Sequence, residues 1–125
     1  MADIGLVGLG VMGANLALNM AEKGYSVAVY NRTAAKTDTF IKEAGTLAPR
    51  LTACYSLKEL AAAIKPPRPV VIMVLAGPPV DDVAEALAVE LSKGDMLIDA
   101  GNANFRDTRR RVETYTKRGL DFLGI

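Results

Sequence analysis

A chain of 125 residues, half of them hydrophobic and with a net charge of +1 from 15 basic and 14 acidic side chains, fits one folded domain and has no general attraction for nucleic acid or an anionic membrane. Its single cysteine, Cys54, excludes an internal disulfide, and the lack of any histidine excludes a zinc site of the usual ligands. The longest apolar run, Pro69 to Pro79, is far short of the roughly 20 residues that span a bilayer, so a cytoplasmic protein without a membrane partner is expected.

Ile4 to Val7 is a short apolar run ended by glycine and reads as a buried strand. Val11 to Lys23 follows as a helix with Gly24 as its C-terminal stop, and Ser26 to Tyr30 is a second strand rich in β-formers. The alternation continues with a helix from Ala34 to Ala44 stopped by Gly45, and a strand from Leu51 to Cys54. A helix then runs from Ser56 to Ile64, with Ser56 and Glu59 placed as a capping box. Pro66, Pro67 and Pro69 make a stiff turn before the strand Val70 to Leu75. A helix Val80 to Leu91, a strand Met96 to Ile98, a helix Asp107 to Arg118 closed by Gly119, and a last strand Phe122 to Ile125 complete the chain. Six near-continuously apolar strands separated by helices predict a Rossmann-type, doubly wound α/β domain, with a mostly parallel sheet covered on both faces.

Between the first strand and first helix lies Gly8-Leu9-Gly10-Val11-Met12-Gly13, which matches G-x-G-x-x-G. In this context Gly8 permits a tight turn, Gly10 lets backbone approach a pyrophosphate, and Gly13 lets the helix pack against the strand. The helix N-terminus adds unpaired N–H groups and a favourable dipole for phosphate. The plainer alternative is a tight corner, which needs one or two glycines but not this spacing.

The second strand ends in Asn31-Arg32-Thr33, about 20 residues beyond the glycine loop, where NAD-binding domains carry a carboxylate for the adenine ribose. Asn31 is uncharged, Arg32 offers a planar fork for phosphate, and Thr33 adds a hydroxyl and a helix cap. A carboxylate about 4 Å from one phosphate charge costs about 4 kcal/mol at an effective dielectric of 20. Asn31 avoids that cost and Arg32 reverses its sign, so NADP is favoured over NAD. A turn with a solvated arginine is the bland reading of the same residues.

Asp99-Ala100-Gly101-Asn102-Ala103-Asn104-Phe105-Arg106-Asp107-Thr108, followed by Arg109-Arg110-Arg111, adds a more specific signal. With the two motifs above, it resembles the N-terminal domain of the 6-phosphogluconate dehydrogenase family, and the likeness covers essentially the whole chain. The resemblance implies NADP-dependent oxidation and decarboxylation of 6-phosphogluconate to ribulose 5-phosphate, in the pentose phosphate pathway, by an enzyme that is a homodimer at full length. It assigns the pyrophosphate to Gly8 through Gly13, the 2′-phosphate to Asn31, Arg32 and Thr33, the lining of the cofactor pocket to Val74, Leu75 and Ala76, and contact with both cofactor and substrate to Asn102. Leu75, Ala100 and Ala103 depart from the family's usual lysine, glycine and serine or threonine.

The family's substrate loop, catalytic lysine and glutamate are not found in these residues, so the chain is expected to hold cofactor, to lack catalytic residues of its own and not to turn over. It reads as the cofactor domain, residues 1 to 125, without the family's catalytic and dimerisation domain, and some self-association is expected of it. The cofactor domain of a β-hydroxyacid dehydrogenase and a non-catalytic NADP-sensing module are the alternatives. Asp81, Asp82 and Glu85 read as solvated acids near a helix start, Arg109 to Arg111 with Lys117 and Arg118 as a solvated basic face, and Cys54 as a small core residue.

Overall fold

A computed structural model describes residues 1–74, 77–101 and 104–125. In chain order its elements are β1 (Ile4–Val7), α1 (Val11–Glu22), β2 (Val27–Tyr30), α2 (Ala34–Glu43), β3 (Leu51–Cys54), α3 (Leu57–Ala63), β4 (Pro69–Ile72), α4 (Pro78–Glu90), β5 (Met96–Asp99), α5 (Phe105–Thr116) and β6 (Asp121–Gly124). The six strands form one sheet in the order β3-β2-β1-β4-β5-β6, and every adjacent pair is parallel. The doubly wound reading is thus correct in strand number, direction and covering.

Successive side chains of each strand enter two separate cores. Leu6, Val27, Val29 and Val71 meet Ala17 and Ala21 of α1 and Phe40 of α2 on one face. Val7, Ala28, Val70, Ile72 and Leu97 meet Leu60 of α3, Ala84 and Leu87 of α4 and Tyr115 of α5 on the other. Burial on both sides explains why the strands read as continuous apolar runs rather than alternating ones. The first face is less complete towards β5 and β6, where Ile98 is only partly buried and Leu123 is exposed.

The punctuation residues act largely as their chemistry requires. Gly24 has φ +101°; its N–H reaches the Ala21 carbonyl and the N–H of Tyr25 reaches Met20, a Schellman closure of α1. Ser56 Oγ accepts the N–H of Glu59 at 3.0 Å, the half of the capping box that holds α3. Most boundaries fall within one residue of the sequence reading, and four differ by more. β4 ends at Ile72 rather than Leu75, α4 begins at Pro78 rather than Val80, and α5 runs from Phe105 to Thr116 rather than from Asp107 to Arg118. Two prolines suit a first helical turn, where their missing N–H groups have no partner to lose. For α5 the cap is Asn104, whose side-chain oxygen accepts the N–H of Asp107 at 3.0 Å. A 3₁₀ segment, Gly45–Arg50, was not anticipated; from it Arg50 Nη1 donates to the Ala21 carbonyl at the end of α1.

The basic and acidic helix faces correct two expectations. Arg111 is fully buried rather than solvated, with Nε 2.9 Å from Asp81 Oδ1 and Nη1 3.3 Å from Asp99 Oδ2. Arg110 binds the same Asp81 carboxylate at 3.0 Å, and Arg118 binds Glu85 at 2.8 Å. Asp81 and Glu85 therefore fasten α5 to α4, while Asp82 stays exposed as expected.

Hydrogen bonding from Arg111 holds the Asp81 carboxyl below its ordinary range, Arg118 does the same for Glu85, and the Ser26 N–H followed by Lys65 does so for Asp3. Carboxyls lowered in the folded state contribute stability above their unfolded values, and that contribution is lost as pH falls through the folded ones. The urea midpoint should therefore hold down to about pH 4 and then decline. Asp81→Asn should blunt the decline; a midpoint unchanged down to pH 3 would refute the assignment.

Cys54 is buried as expected, and burial, with Glu59 nearby, pushes its thiol up to about 11. A thiolate-directed reagent at pH 8 should label it only as fast as the domain opens, with denaturant accelerating the reaction in step with unfolding. Rapid labelling of the native chain would show that the β3 end is open.

Candidate functional site

The helices that follow β1 and β4 leave the sheet on opposite faces, so a crevice opens beyond the carboxyl ends of these two neighbouring strands. Two adjoining hollows occupy it. One of about 760 Å³ lies along Gly10, Val11, Met12, Ala100 and Gly101; the other, of about 580 Å³, lies between Tyr30 and Arg32 on one side and Leu57, Pro79 and Val83 on the other. Gly8, Asn31 and Val74 border both hollows.

The three glycines of the loop answer to different constraints. Gly8 has φ +103°, and a Cβ there would lie 2.2 Å from the Met73 carbonyl oxygen. A Cβ on Gly13 would lie 1.9 Å from the carbonyl oxygen of Gly8. Both are required by the protein's own backbone. Gly10 is not: its backbone is ordinary extended chain (φ −67°, ψ −176°), and a Cβ would meet nothing within 4 Å. A corner alone accounts for two glycines and leaves the third facing open space in the crevice.

Gly10 is also the N-cap of α1 and has no side chain to offer; the first turn contains no acid. The leading N–H groups of α1 thus point towards the hollow without a side-chain cap, an arrangement that attracts an anion. Val11 and Met12 are exposed at the rim (80% and 71%), large apolar side chains with nothing of the described chain laid over them. Leu9 differs from its neighbours in the loop, since its side chain is in the core.

Asn31 has a role that its position alone did not reveal. Its Oδ1 accepts the N–H of Leu9 at 2.9 Å, and its Nδ2 donates to the Thr33 carbonyl at 3.4 Å. The amide thereby fastens the glycine loop to the end of β2. Arg32 and Thr33 are exposed beside it, and Arg32 makes no ion pair among the described residues. Thr33 stands at the N-cap of α2, but its hydroxyl makes no cap bond, contrary to the expected helix cap. Lys36 was missed: it lies in the first turn of α2 and borders the larger hollow. Its signal is a cation three residues past a helix start, where the dipole disfavours positive charge.

Val74 and Ala100 both border the larger hollow, and Ala100 is partly buried there. The other expected site residues, Leu75, Ala76 and Asn102, lie outside the described residues, as does Ala103. Among the described residues no cluster of acids, cysteine or histidine is arranged to hold a metal, and no helix is long and apolar enough to cross a membrane.

Strand order, crevice and glycine loop together define a dinucleotide-binding domain. The chain belongs to the family described as the NAD binding domain of 6-phosphogluconate dehydrogenase, which matches residues 3–125. It is 48% identical over 124 residues to a decarboxylating 6-phosphogluconate dehydrogenase of Haemophilus influenzae, covering 98% of this chain and 25% of the relative. The corresponding protein of Trypanosoma brucei brucei is also 48% identical, with 98% and 26% covered. The chain thus spans about a quarter of the length of the curated relatives it matches. Among solved structures, Plasmodium falciparum 6-phosphogluconate dehydrogenase, studied free, with its cofactor NADP+ and with its substrate 6-phosphogluconate, superposes with a TM-score of 0.89 at 36% identity, over 96% of this chain and 26% of that one. A 3-hydroxyisobutyrate dehydrogenase of Mycobacterium tuberculosis shares the fold (TM-score 0.80, 21% identity, 99% of this chain and 40% of that one).

The glycine geometry separates folding from binding. Gly13→Ala should destabilise the domain by about 3 kcal/mol, because backbone must move to admit the methyl group. Gly10→Ala should cost no more than about 1 kcal/mol, the preference for glycine over alanine at an N-cap. Urea unfolding measures both; equal losses would mean that Gly10 too is held by the fold.

Proposed function

We propose that this chain is the NADP-binding domain of an enzyme that oxidises 6-phosphogluconate and decarboxylates it to ribulose 5-phosphate. The observation that carries the cofactor half of this reading is Gly10, a glycine the fold does not need, at an uncapped helix start facing the crevice. The identity of nearly half the residues to decarboxylating 6-phosphogluconate dehydrogenases supports the substrate half. The likeness to hydroxyacid dehydrogenases is much lower in sequence.

The residues present fit the cofactor's chemistry. Backbone N–H groups of Val11, Met12 and Gly13 would hold the pyrophosphate, with Gly10 allowing close approach. Arg32, Thr33 and Lys36 would hold the 2′-phosphate, while Asn31 keeps the loop in place without placing a negative charge beside it. The hollow between Arg32 and a mainly apolar wall of Leu57, Pro79 and Val83, with Asp82 among them, suits an adenine ring, which a guanidinium can cover by stacking. Val74, with Leu75, Ala76 and Asn102, would border the nicotinamide end, and Asn102 would also touch substrate. Bound NADP+ supplies the hydride acceptor.

Acid–base chemistry needs a group within hydrogen-bond reach of the reacting hydroxyl, and the sequence has no histidine to offer. Lys36, the lysine that borders the larger hollow, is taken up in this reading by the 2′-phosphate. The chain's own contribution is therefore to bind and orient cofactor, with proton transfer supplied by the rest of the enzyme. The same reading makes the whole enzyme a cytoplasmic homodimer acting on a small phosphorylated acid.

Asn31→Asp tests the charge argument, because a carboxylate can still accept the Leu9 N–H while adding the repulsion that asparagine avoids; of the two Asn31 bonds only the long one to the Thr33 carbonyl is lost. Calorimetric titration at fixed salt should show NADP+ affinity falling about tenfold or more, with NAD+ affinity much less changed. Arg32→Ala should lower NADP+ affinity selectively as well. Equal effects on the two cofactors, or no binding of NADP+ by the unaltered chain, would overturn the assignment.

A further inference from the structure

Of the three consecutive arginines in α5, Arg109 and Arg110 are exposed and Arg111 is wholly buried. Its guanidinium is shared among three partners. Nε and Nη2 bind the two Asp81 oxygens at 2.9 and 3.3 Å, Nη2 also donates to the Gly77 carbonyl at 3.1 Å, and Nη1 reaches Asp99 Oδ2 at 3.3 Å. The other oxygen of Asp99 accepts the N–H of Gly101 at 2.9 Å. Gly77 caps the start of α4, and Gly101 follows the end of β5. One planar fork thus ties the chain entering α4 to the chain leaving β5.

These two stretches meet at the crevice. Val74 and Gly101 both border the larger hollow, and they approach so closely that a Cβ on Gly101 would lie 2.5 Å from the Val74 carbonyl oxygen. Burying a guanidinium with two carboxylates is a poor way to gain stability, since apolar side chains of like volume hold a helix to a sheet as well or better. What the fork supplies is direction: a carbonyl and two carboxylates held at set angles by one rigid, planar group.

We propose that Arg111 is a positioning residue for the nicotinamide half of the cofactor. Through Asp99 it fixes the N–H of Gly101, which borders only the larger hollow, and with it the wall that Gly101 forms there, without touching the ligand. The inference rests on the cofactor reading above, in which the adenosine half lies at Asn31, Arg32 and Lys36.

The test compares two ligands on the same chain: NADP+ and adenosine 2′,5′-bisphosphate, which carries the adenosine and 2′-phosphate but no nicotinamide. Arg111→Lys keeps the charge and loses the fork. It should weaken NADP+ about fivefold to tenfold while leaving the bisphosphate within about twofold. Asp81→Asn, at a partly exposed position, should give a smaller loss of the same selectivity, and it serves if Arg111→Lys fails to fold. Equal weakening of both ligands, or no weakening of either in a folded variant, would overturn the positioning role and leave the cofactor reading intact. Failure of the unaltered chain to bind either ligand would overturn both.

Discussion

Everything at the crevice depends on how closely two backbones pass, that of Gly8 after β1 and that of Met73 after β4. No side chain fits between them, because a methyl group on Gly8 would sit 2.2 Å from the Met73 carbonyl oxygen. The approach follows from strand order. β1 and β4 are neighbours in the sheet but not in sequence, and their helices depart to opposite faces. The loop after β1 must therefore turn sharply over the end of its neighbour, and the diverging helices leave a hollow above that turn. Gly13 then brings α1 down onto Gly8, so the helix N-terminus aims at the hollow rather than past it.

Beyond that contact the site is a chain of second attachments. Asn31 holds the glycine loop from β2, and Arg111 holds Gly77 before α4 and Asp99 at the end of β5 from α5. Each attachment crosses between elements far apart in sequence: 22 residues separate Leu9 from Asn31, and 30 separate Asp81 from Arg111. None of the anchoring groups needs to touch a ligand to matter. Asn31 fixes the N–H of Leu9 and, in the proposed complex, also spares a 2′-phosphate the repulsion of a carboxylate. Substitution there mixes charge with geometry unless the new residue keeps the acceptor.

This distance in sequence also decides what could be read without coordinates. β1 and β3 were legible to the residue because each is an apolar run with clear punctuation, and parallel burial removes any ambiguity of face. The glycine loop was legible as a motif, but not the division of labour within it, since only the neighbouring backbone distinguishes Gly10 from Gly8 and Gly13. The basic run in α5 was misread for a simple reason. Consecutive helical residues point about 100° apart, so three arginines in a row cannot share one face. The inner one is marked by Tyr115, four residues on and also buried, yet its acidic partners lie on two other elements. Lys36 escaped notice because a lone lysine on an exposed helix reads as solvated.

Lys36 and Arg32 are nonetheless informative because of where they stand. A cation in the first turn of a helix opposes the macrodipole, at a typical cost of about 0.3–1 kcal/mol. α2 has no acid in its first turn to offset that, and its N-cap threonine makes no side-chain bond to the helix start. Nothing in packing rewards this arrangement, since Arg32 and Lys36 are exposed and Arg32 has no ion-pair partner among the described residues. The neighbouring α1 shows the complementary feature, an N-terminus left uncapped although a serine or aspartate at position 10 would stabilise it. Two adjacent helix starts thus forgo local stability in the same sense, leaving positive potential on one side of the crevice. In the proposed complex an anionic cofactor would offset both deficits, so that an arrangement unfavourable to the free chain becomes favourable to the bound one.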